Sequence, residues 1–398
     1  MRSIGRDPIF IERAAGAEIT DVDGNVYVDY VCSWGPLIHG HAHPAVLEAI
    51  GAAAALGTTF GAATAGEVEL AELVAQRMPA VDMLRMTSSG TEAAMSAIRV
   101  ARAATGRDKL LKFAGAYHGH VDGLLAEAGS GLATQGIPSS PGVPAAATAA
   151  TVVVPWNDPE AVRAAFAEHG PELAAVLCEP YPANMGLVPP HAGFLELLRE
   201  LCTGAGALLV FDEVITGFRV SRGGAQELSG VLPDLTVMGK VIGGGLPAAA
   251  YGGPLELMEL VAPAGSVYQA GTLSGNPLAV AAGRTALELL GEQAYLALSD
   301  TTLALAEGLR EAAGSRPVQV SHTTGLVTVF FSEEPVHDYA GATACDTEGY
   351  GAWCRALLAR GVYPPPSQFE AWFPSLAHTP EHLARTFEAA VAAFDEVS

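Results

Sequence analysis

The chain has 398 residues, half of them hydrophobic and 16% charged, with 43 acidic against 21 basic side chains. That length suits about two or three ordinary domains with a sizeable core. The net charge of −22 excludes a nucleic-acid binder or a binder of anionic membranes, because either needs a basic face. Five cysteines (Cys32, Cys178, Cys202, Cys345 and Cys354) are scattered without zinc spacing. They point to free thiols in a reducing, cytoplasmic compartment. The first eight residues hold no apolar core of a signal peptide.

In chain order, 17–30 alternates around the turn Asp23-Gly24-Asn25 and reads as a β-meander. Helices are expected from Pro44 to about residue 55 and over 67–77. From Asp82 the pattern becomes strand and helix in turn. Strands are expected at 83–87, 109–113, 152–155, 174–178, 207–212 and 235–238, with helices at 92–104, 159–168 and 194–202. Apolar strands with crossover helices make a mostly parallel α/β sheet, whose ligands sit at the carboxyl ends of the strands. The charge-free stretch 128–157 is broken by Gly, Pro, Ser and Thr and cannot cross a membrane; its part 128–144 has the composition of an active-site lid. A long helix is expected over 277–290, continuing into 303–313. Strands at 318–320 and 326–331 and helices near 350–360 and 380–397 then suggest a smaller α+β domain. The expected division is an N-terminal segment 1–55 that packs with the small domain, a large domain 56–290, and a small domain 291–398.

Several groups along this frame carry chemistry. Ser88-Ser89-Gly90-Thr91 joins a strand to a helix, so its N–H groups suit an anion, though Ser and Thr are also ordinary helix caps. Asp212 ends a buried strand, where a carboxylate needs a cationic partner. It reads either as the partner of a protonated ring nitrogen, or as one half of a structural salt bridge or a cap for the next loop. Its neighbour Glu213 should point the other way. Only three basic residues are lysines. Lys109 and Lys112 read as surface charges. Lys240 lies between an apolar strand and Gly243-Gly244-Gly245, and is the candidate for an amine with a lowered pKa. Tyr117-His118-Gly119-His120 offers an aromatic that could stack on a planar group. His39, His41 and His43 alternate without acidic or thiol partners, so a hydrogen-bonded loop is expected and no metal. Gly271-Thr272-Leu273-Ser274-Gly275-Asn276-Pro277 opens a second anion-suited helix. Two phosphate-type corners, a strand-end acid and an isolated lysine together suggest pyridoxal phosphate.

With these motifs the sequence resembles the class III, fold type I pyridoxal-phosphate aminotransferases over essentially its whole length. It is most similar to their glutamate-1-semialdehyde aminomutase branch. Ser33-Trp34-Gly35-Pro36, Ser89-Gly90-Thr91-Glu92, Gly239-Lys240, 270–277 and Ser367-Gln368-Phe369-Glu370-Ala371 carry the resemblance. It implies Lys240 as the Schiff-base lysine and Asp212 as the partner of the pyridine nitrogen. It implies Val214 against the ring, Tyr117 with His118 at the stacking corner, and Ser89, Gly90 and Thr91 at the phosphate. Thr272 would reach the phosphate of the neighbouring subunit, so a homodimer is implied. Trp34 and Glu370 would lie near the substrate, with Glu370 also a catalytic group that repels a second substrate carboxylate. The implied reaction moves an amino group within glutamate 1-semialdehyde to give 5-aminolevulinate, with the cofactor cycling between pyridoxal and pyridoxamine 5′-phosphate. The alternatives are a general aminotransferase with a separate acceptor and a cofactor-binding protein without activity. Two departures stand out. Family members begin well upstream of Met1, in a segment that supplies an arginine for the substrate carboxylate, which leaves Arg2 or Arg6 as substitutes. Gly61-Ala62-Ala63 stands where a proline is common.

Overall fold

The computed structural model describes residues 1–126 and 140–397. Most of the lid expected over 128–144 lies outside the described residues. The meander is present as β1 (Ile11–Ala15), β2 (Glu18–Asp21) and β3 (Val26–Asp29). Its turn closes because the Asp21 carboxylate accepts the N–H groups of Asp23 at 3.0 Å and Asn25 at 2.8 Å, the usual turn chemistry of aspartate. Helix α1 (Pro44–Leu56) has proline in its first turn, and α2 (Ala65–Ala75) starts with a Thr64–Glu67 capping box.

The central sheet has seven strands: β4 (Met83–Thr87), β5 (Lys109–Phe113), β6 (Thr151–Val154), β7 (Leu173–Cys178), β8 (Leu208–Glu213), β9 (Leu235–Met238) and β10 (Ala249–Gly253). Their order is β4-β10-β9-β8-β7-β5-β6. All run parallel except β10, which is antiparallel to both neighbours. Side-chain alternation divides the strands between two cores. Leu110, Val210 and Val237 pack with Ala93, Ala97 and Val100 of α3 (Gly90–Thr105). Leu111, Leu209 and Phe211 pack with Val162 and Phe166 of α4 (Pro159–His169) and Leu195 and Leu198 of α5 (Phe194–Ala205). Both faces are covered, so β7 and β9 are apolar or nearly so and fully buried, while the charges of β5 and β8 stand at or near the strand ends.

The expected helix from 277 to 313 is two helices, α6 (Pro277–Glu288) and α7 (Glu292–Ala313). Leu290 is buried, and Gly291 adopts an extended conformation ahead of α7. Glycine is a poor helix former, which suits the break between the two helices. Hairpin strands β11 (Gln319–Thr323) and β12 (Leu326–Phe330), then α8 (Thr347–Leu358), the short strand β13 (Val362–Tyr363) and α9 (Pro380–Glu396) complete the chain. Strand β13 pairs in parallel with β3. One core therefore holds Tyr27, Val28 and Tyr30 together with Leu305, Val329, Trp353, Trp372 and Phe394.

Candidate active site

The cleft opens where β4, β5, β7, β8 and β9 end and β10 begins. Its volume is about 370 Å³, and its lining includes Ser88 to Thr91, Tyr117 to Gly119, Glu179, Asn184, Asp212, Val214, Lys240 and Ala248. Because β10 runs backwards, its leading loop Leu246-Pro247-Ala248 reaches the same end as the carboxyl termini of the others.

Asp212 and Glu213 take opposite sides of β8. Asp212 is 5% exposed, and its Oδ2 accepts from His118 Nδ1 at 2.8 Å while Oδ1 accepts from Val214 N–H at 3.1 Å. Glu213 is fully buried and receives four donors: Thr216 Oγ1 at 2.8 Å, the N–H groups of Ala225 at 2.7 Å and Gln226 at 3.0 Å, and Gln226 Nε2 at 3.1 Å. Asp212 thus has a hydrogen-bond partner within the protein and also lines the cleft.

Lys240 opens a short turn after β9 with a left-handed backbone, φ 49°, which is uncommon for any residue but glycine. Burial of its amine lowers the pKa below the ordinary lysine range, and the positive charge of Arg219 acts in the same sense. Asp212, Glu179 and Glu370 pull the other way. The surface reading of Lys112 is corrected. Its side chain is fully buried, and its ammonium donates to the carbonyls of Leu124 at 3.0 Å and Ala126 at 3.1 Å. Lys109 does pair with Glu172 at 3.0 Å near the surface.

Ser89 is the N-cap of α3: its hydroxyl accepts from Glu92 N–H at 3.3 Å, and the Glu92 carboxylate turns back to Ser88 N–H at 2.9 Å. The cap and the anion corner are the same turn, with the first-turn N–H groups of Gly90 and Thr91 left for a ligand. Close packing requires the glycines. A Cβ on Gly90 or on Gly239 would come within 3.1 Å of the Val214 methyls. At Gly119, φ +84°, a Cβ would come within 2.6 Å of Thr91 Oγ1. Val214 is thus wedged between the phosphate-type turn and the lysine turn. Tyr117 is 37% exposed, and its backbone N–H is tied to Glu179 at 3.0 Å.

Sequence reasoning missed Glu179 and Asn184. Glu179 follows β7 directly, and its carboxylate accepts from Ala183 N–H at 3.2 Å and Asn184 Nδ2 at 2.8 Å. Burial raises its pKa, against the charge of His118 and the Tyr117 and Ala183 N–H bonds. The available signal was its place, one residue past a fully apolar strand, which matches that of Asp212.

Ser89, Gly90, Thr91, Tyr117, His118, Asp212, Val214 and Lys240 therefore meet at one cleft. Glu370 is half-buried and acts on it through its charge on Lys240. Trp34 is 41% exposed, in the turn that leads to the cleft residue Pro36. Thr272 is exposed and lines a different cavity of about 620 Å³, with Arg85, Gln269 and Asn276. Arg2 and Arg6 flank Ile4, which packs in the small-domain core while Arg355 donates to its carbonyl at 2.6 Å. His41 bonds Asp29 at 2.7 Å and His39 bonds Ala286 O at 2.8 Å. All five cysteines are free and buried.

The residues present fit a phosphorylated pyridine aldehyde. One cleft brings together the Ser89-Gly90-Thr91 turn at a helix N-terminus, the buried Asp212 carboxylate, Tyr117 and the Lys240 amine. His118 Nε2 is buried without a hydrogen-bond partner among the described residues, which leaves one polar atom beside the Asp212 carboxylate to be satisfied.

Residues 2–393 match the model of the class III aminotransferases. A curated relative from Desulforudis audaxviator, named glutamate-1-semialdehyde 2,1-aminomutase, is 57% identical over 396 residues, 99% of this chain and 92% of its own length. Among solved structures, an omega-transaminase from Sphaerobacter thermophilus superposes with a TM-score of 0.93 at 35% identity, covering 100% of this chain and 93% of its own. A glutamate-1-semialdehyde aminomutase from Pseudomonas aeruginosa PAO1, solved as a lysine-to-alanine variant in complex with PMP, does so with a TM-score of 0.87 at 30% identity, covering 99% and 89%.

Proposed function

This chain belongs to the class III aminotransferases, and from that premise we propose that it converts glutamate 1-semialdehyde into 5-aminolevulinate by moving one amino group within the substrate. One observation carries the reading: a lysine amine of lowered pKa stands in a cleft under the charges of Asp212, Glu179 and Glu370. Pyridoxal 5′-phosphate, with its pyridoxamine form, is the cofactor, and when bound it supplies an electron sink and a carrier for the amino group.

The chain's own residues divide the work. Ser89, Gly90 and Thr91 would hold the phosphate, Asp212 the ring nitrogen, and Tyr117 and Val214 the two faces of the ring. His118 keeps the Asp212 carboxylate turned into the cleft. Lys240 Nζ would accept and return protons, and burial of the amine eases its deprotonation. Glu370 leaves no favourable place for the second carboxylate of 2-oxoglutarate, and Trp34 would border the substrate. The 57% identity to a curated relative named as the aminomutase, over 99% of this chain, supports the same choice.

Further parts of the reading concern assembly. Thr272 faces solvent in a cavity of its own, which suits a residue that serves the phosphate of a partner subunit in a homodimer. The boundaries near residues 55 and 290 divide a large from a small domain, with the N-terminal segment joined to the latter. Among the described residues no helix is long and apolar enough to cross a membrane, and buried free thiols suit the cytoplasm. The test is incubation of the cofactor-loaded protein with glutamate 1-semialdehyde alone, followed by assay of 5-aminolevulinate. Product without an added amino acceptor is expected. Product only with pyruvate or 2-oxoglutarate would assign the general aminotransferase instead.

A further inference from the structure

Arg219 is fully buried, and among the described residues no carboxylate forms an ion pair with it. Its guanidinium donates instead to three backbone carbonyls. Nη1 bonds Gly325 O and Pro374 O at 3.2 Å each, and Nη2 bonds Gly35 O. The Phe373 ring lies 5.2 Å from its central carbon. An interior cation without an acidic partner is costly to keep, so its location calls for a reason. Burial pushes its pKa down to about 10, which leaves it charged at neutral pH.

The three carbonyls belong to segments remote in sequence, and one of them backs the lysine. Cys32, Ser33 and Trp34 all have left-handed backbones, φ 44°, 57° and 67°, followed by Gly35 at 116°. Such a run of non-glycine residues persists only where its surroundings over-determine it. The Asp29 carboxylate fixes its start, accepting Val31 N–H at 2.8 Å and Cys32 N–H at 3.1 Å. Arg219 fixes its end at Gly35 O. Gly35 in turn packs on the lysine stem: a Cβ there would come within 3.2 Å of Lys240 Cδ and 2.9 Å of Phe373 Cε1.

We infer that Arg219 is a positioning residue for the Lys240 amine: it fastens the turn against which the lysine stem packs and places an unneutralised positive charge behind it. The inference rests on the reading of Lys240 as the reactive amine. The charged groups that act on Lys240 are Asp212, Glu179 and Glu370, which favour its protonation, and Arg219, which opposes it. His118 stands behind Asp212. Of these, Arg219 alone is both cationic and held entirely by carbonyls and a ring.

The chain's three lysines make the test direct. Competitive acetylation of the cofactor-free protein with acetic anhydride, read peptide by peptide by mass spectrometry across pH, compares Lys240 with Lys109 in the same molecule. Wild-type Lys240 is expected to acquire its neutral form at lower pH than Lys109. In Arg219→Gln the Lys240 rate at pH 7, normalised to Lys109, is expected to fall on the order of fivefold. In Arg219→Lys, which keeps the cation, it should stay within about twofold of wild type. An unchanged rate in a folded Arg219→Gln protein, or an equal fall in both variants, overturns the inference. If the glutamine variant does not fold, Gly35→Ala decides, because it pushes the turn into the stem with Arg219 intact. A wild-type Lys240 rate in that variant overturns the inference too. Should wild-type Lys240 titrate like Lys109, the failure lies in the reading of Lys240 itself.

Discussion

Two regions of this molecule hold an interior ammonium group, and they treat it in opposite ways. Near the end of β5, Lys112 donates hydrogen bonds to the carbonyls of Leu124 and Ala126, neutral acceptors that tie one loop to the sheet. Past β9, Lys240 lies in a cleft where carboxylates pull one way while burial and an arginine push the other. Burial alone therefore does not make an amine reactive. A saturated ammonium is a structural clamp. An amine balanced between opposing charges, with open space in front of it, can exchange its proton.

The sharpest way to break this comparison is to remove each lysine. Lys240→Ala should lower 5-aminolevulinate formation about ten-thousandfold or more, and residual turnover near wild type would end the assignment. Asp212→Asn removes the negative charge and leaves the side-chain shape. A loss of about a thousandfold in kcat, with the fold intact by circular dichroism, is expected. Lys112→Met belongs to the other region. It should cost roughly 2 kcal/mol of stability, because two buried carbonyls lose their donors. The readout is a lower urea midpoint at unchanged slope, with activity per folded molecule retained. The smallest effect concerns Glu179. Its folded pKa is raised above the ordinary 4.5 by burial, so its contribution to stability is fully present below that value and fades as pH rises through the folded pKa. Urea midpoints of wild type and Glu179→Gln, compared at pH 4.5 and pH 7, should shift in favour of the variant at the higher pH. A constant difference would show that the carboxyl keeps an ordinary pKa.

Much of the frame was legible because apolar strands and capped helices carry their own punctuation. β4, β5, β7, β8 and β9 and the corners around Asp212 and Lys240 lie close to where pattern and spacing put them. β10 is not legible in the sequence: Ala249-Ala250-Tyr251-Gly252-Gly253 lacks β-branched residues, and its antiparallel pairing with β4 and β9 is visible only in the folded chain. The burial of Lys112 was hidden because Lys109 and Lys112 share one short strand, and nothing local distinguishes the lysine at its solvent end from the one facing inward. Glu179 was overlooked because Cys178-Glu179-Pro180 reads as a strand giving way to a turn. Only the parallel stacking of β7 beside β8 sets it next to Asp212. The place of Arg219 is not legible in the sequence, because its partners are carbonyls of residues 35, 325 and 374, which only the folded chain assembles.

The pairing of β3 with β13, Val28 opposite Val362, has a consequence for how the protein is made. At synthesis rates of about 5–20 residues per second, the opening meander emerges from the ribosome on the order of half a minute before its partner strand exists. Through that interval an apolar sheet edge stands bare on the nascent chain, open to wrong strand partners. A late strand thus completes an early sheet, and a chain released short of Val362 would leave that edge of β3 uncovered.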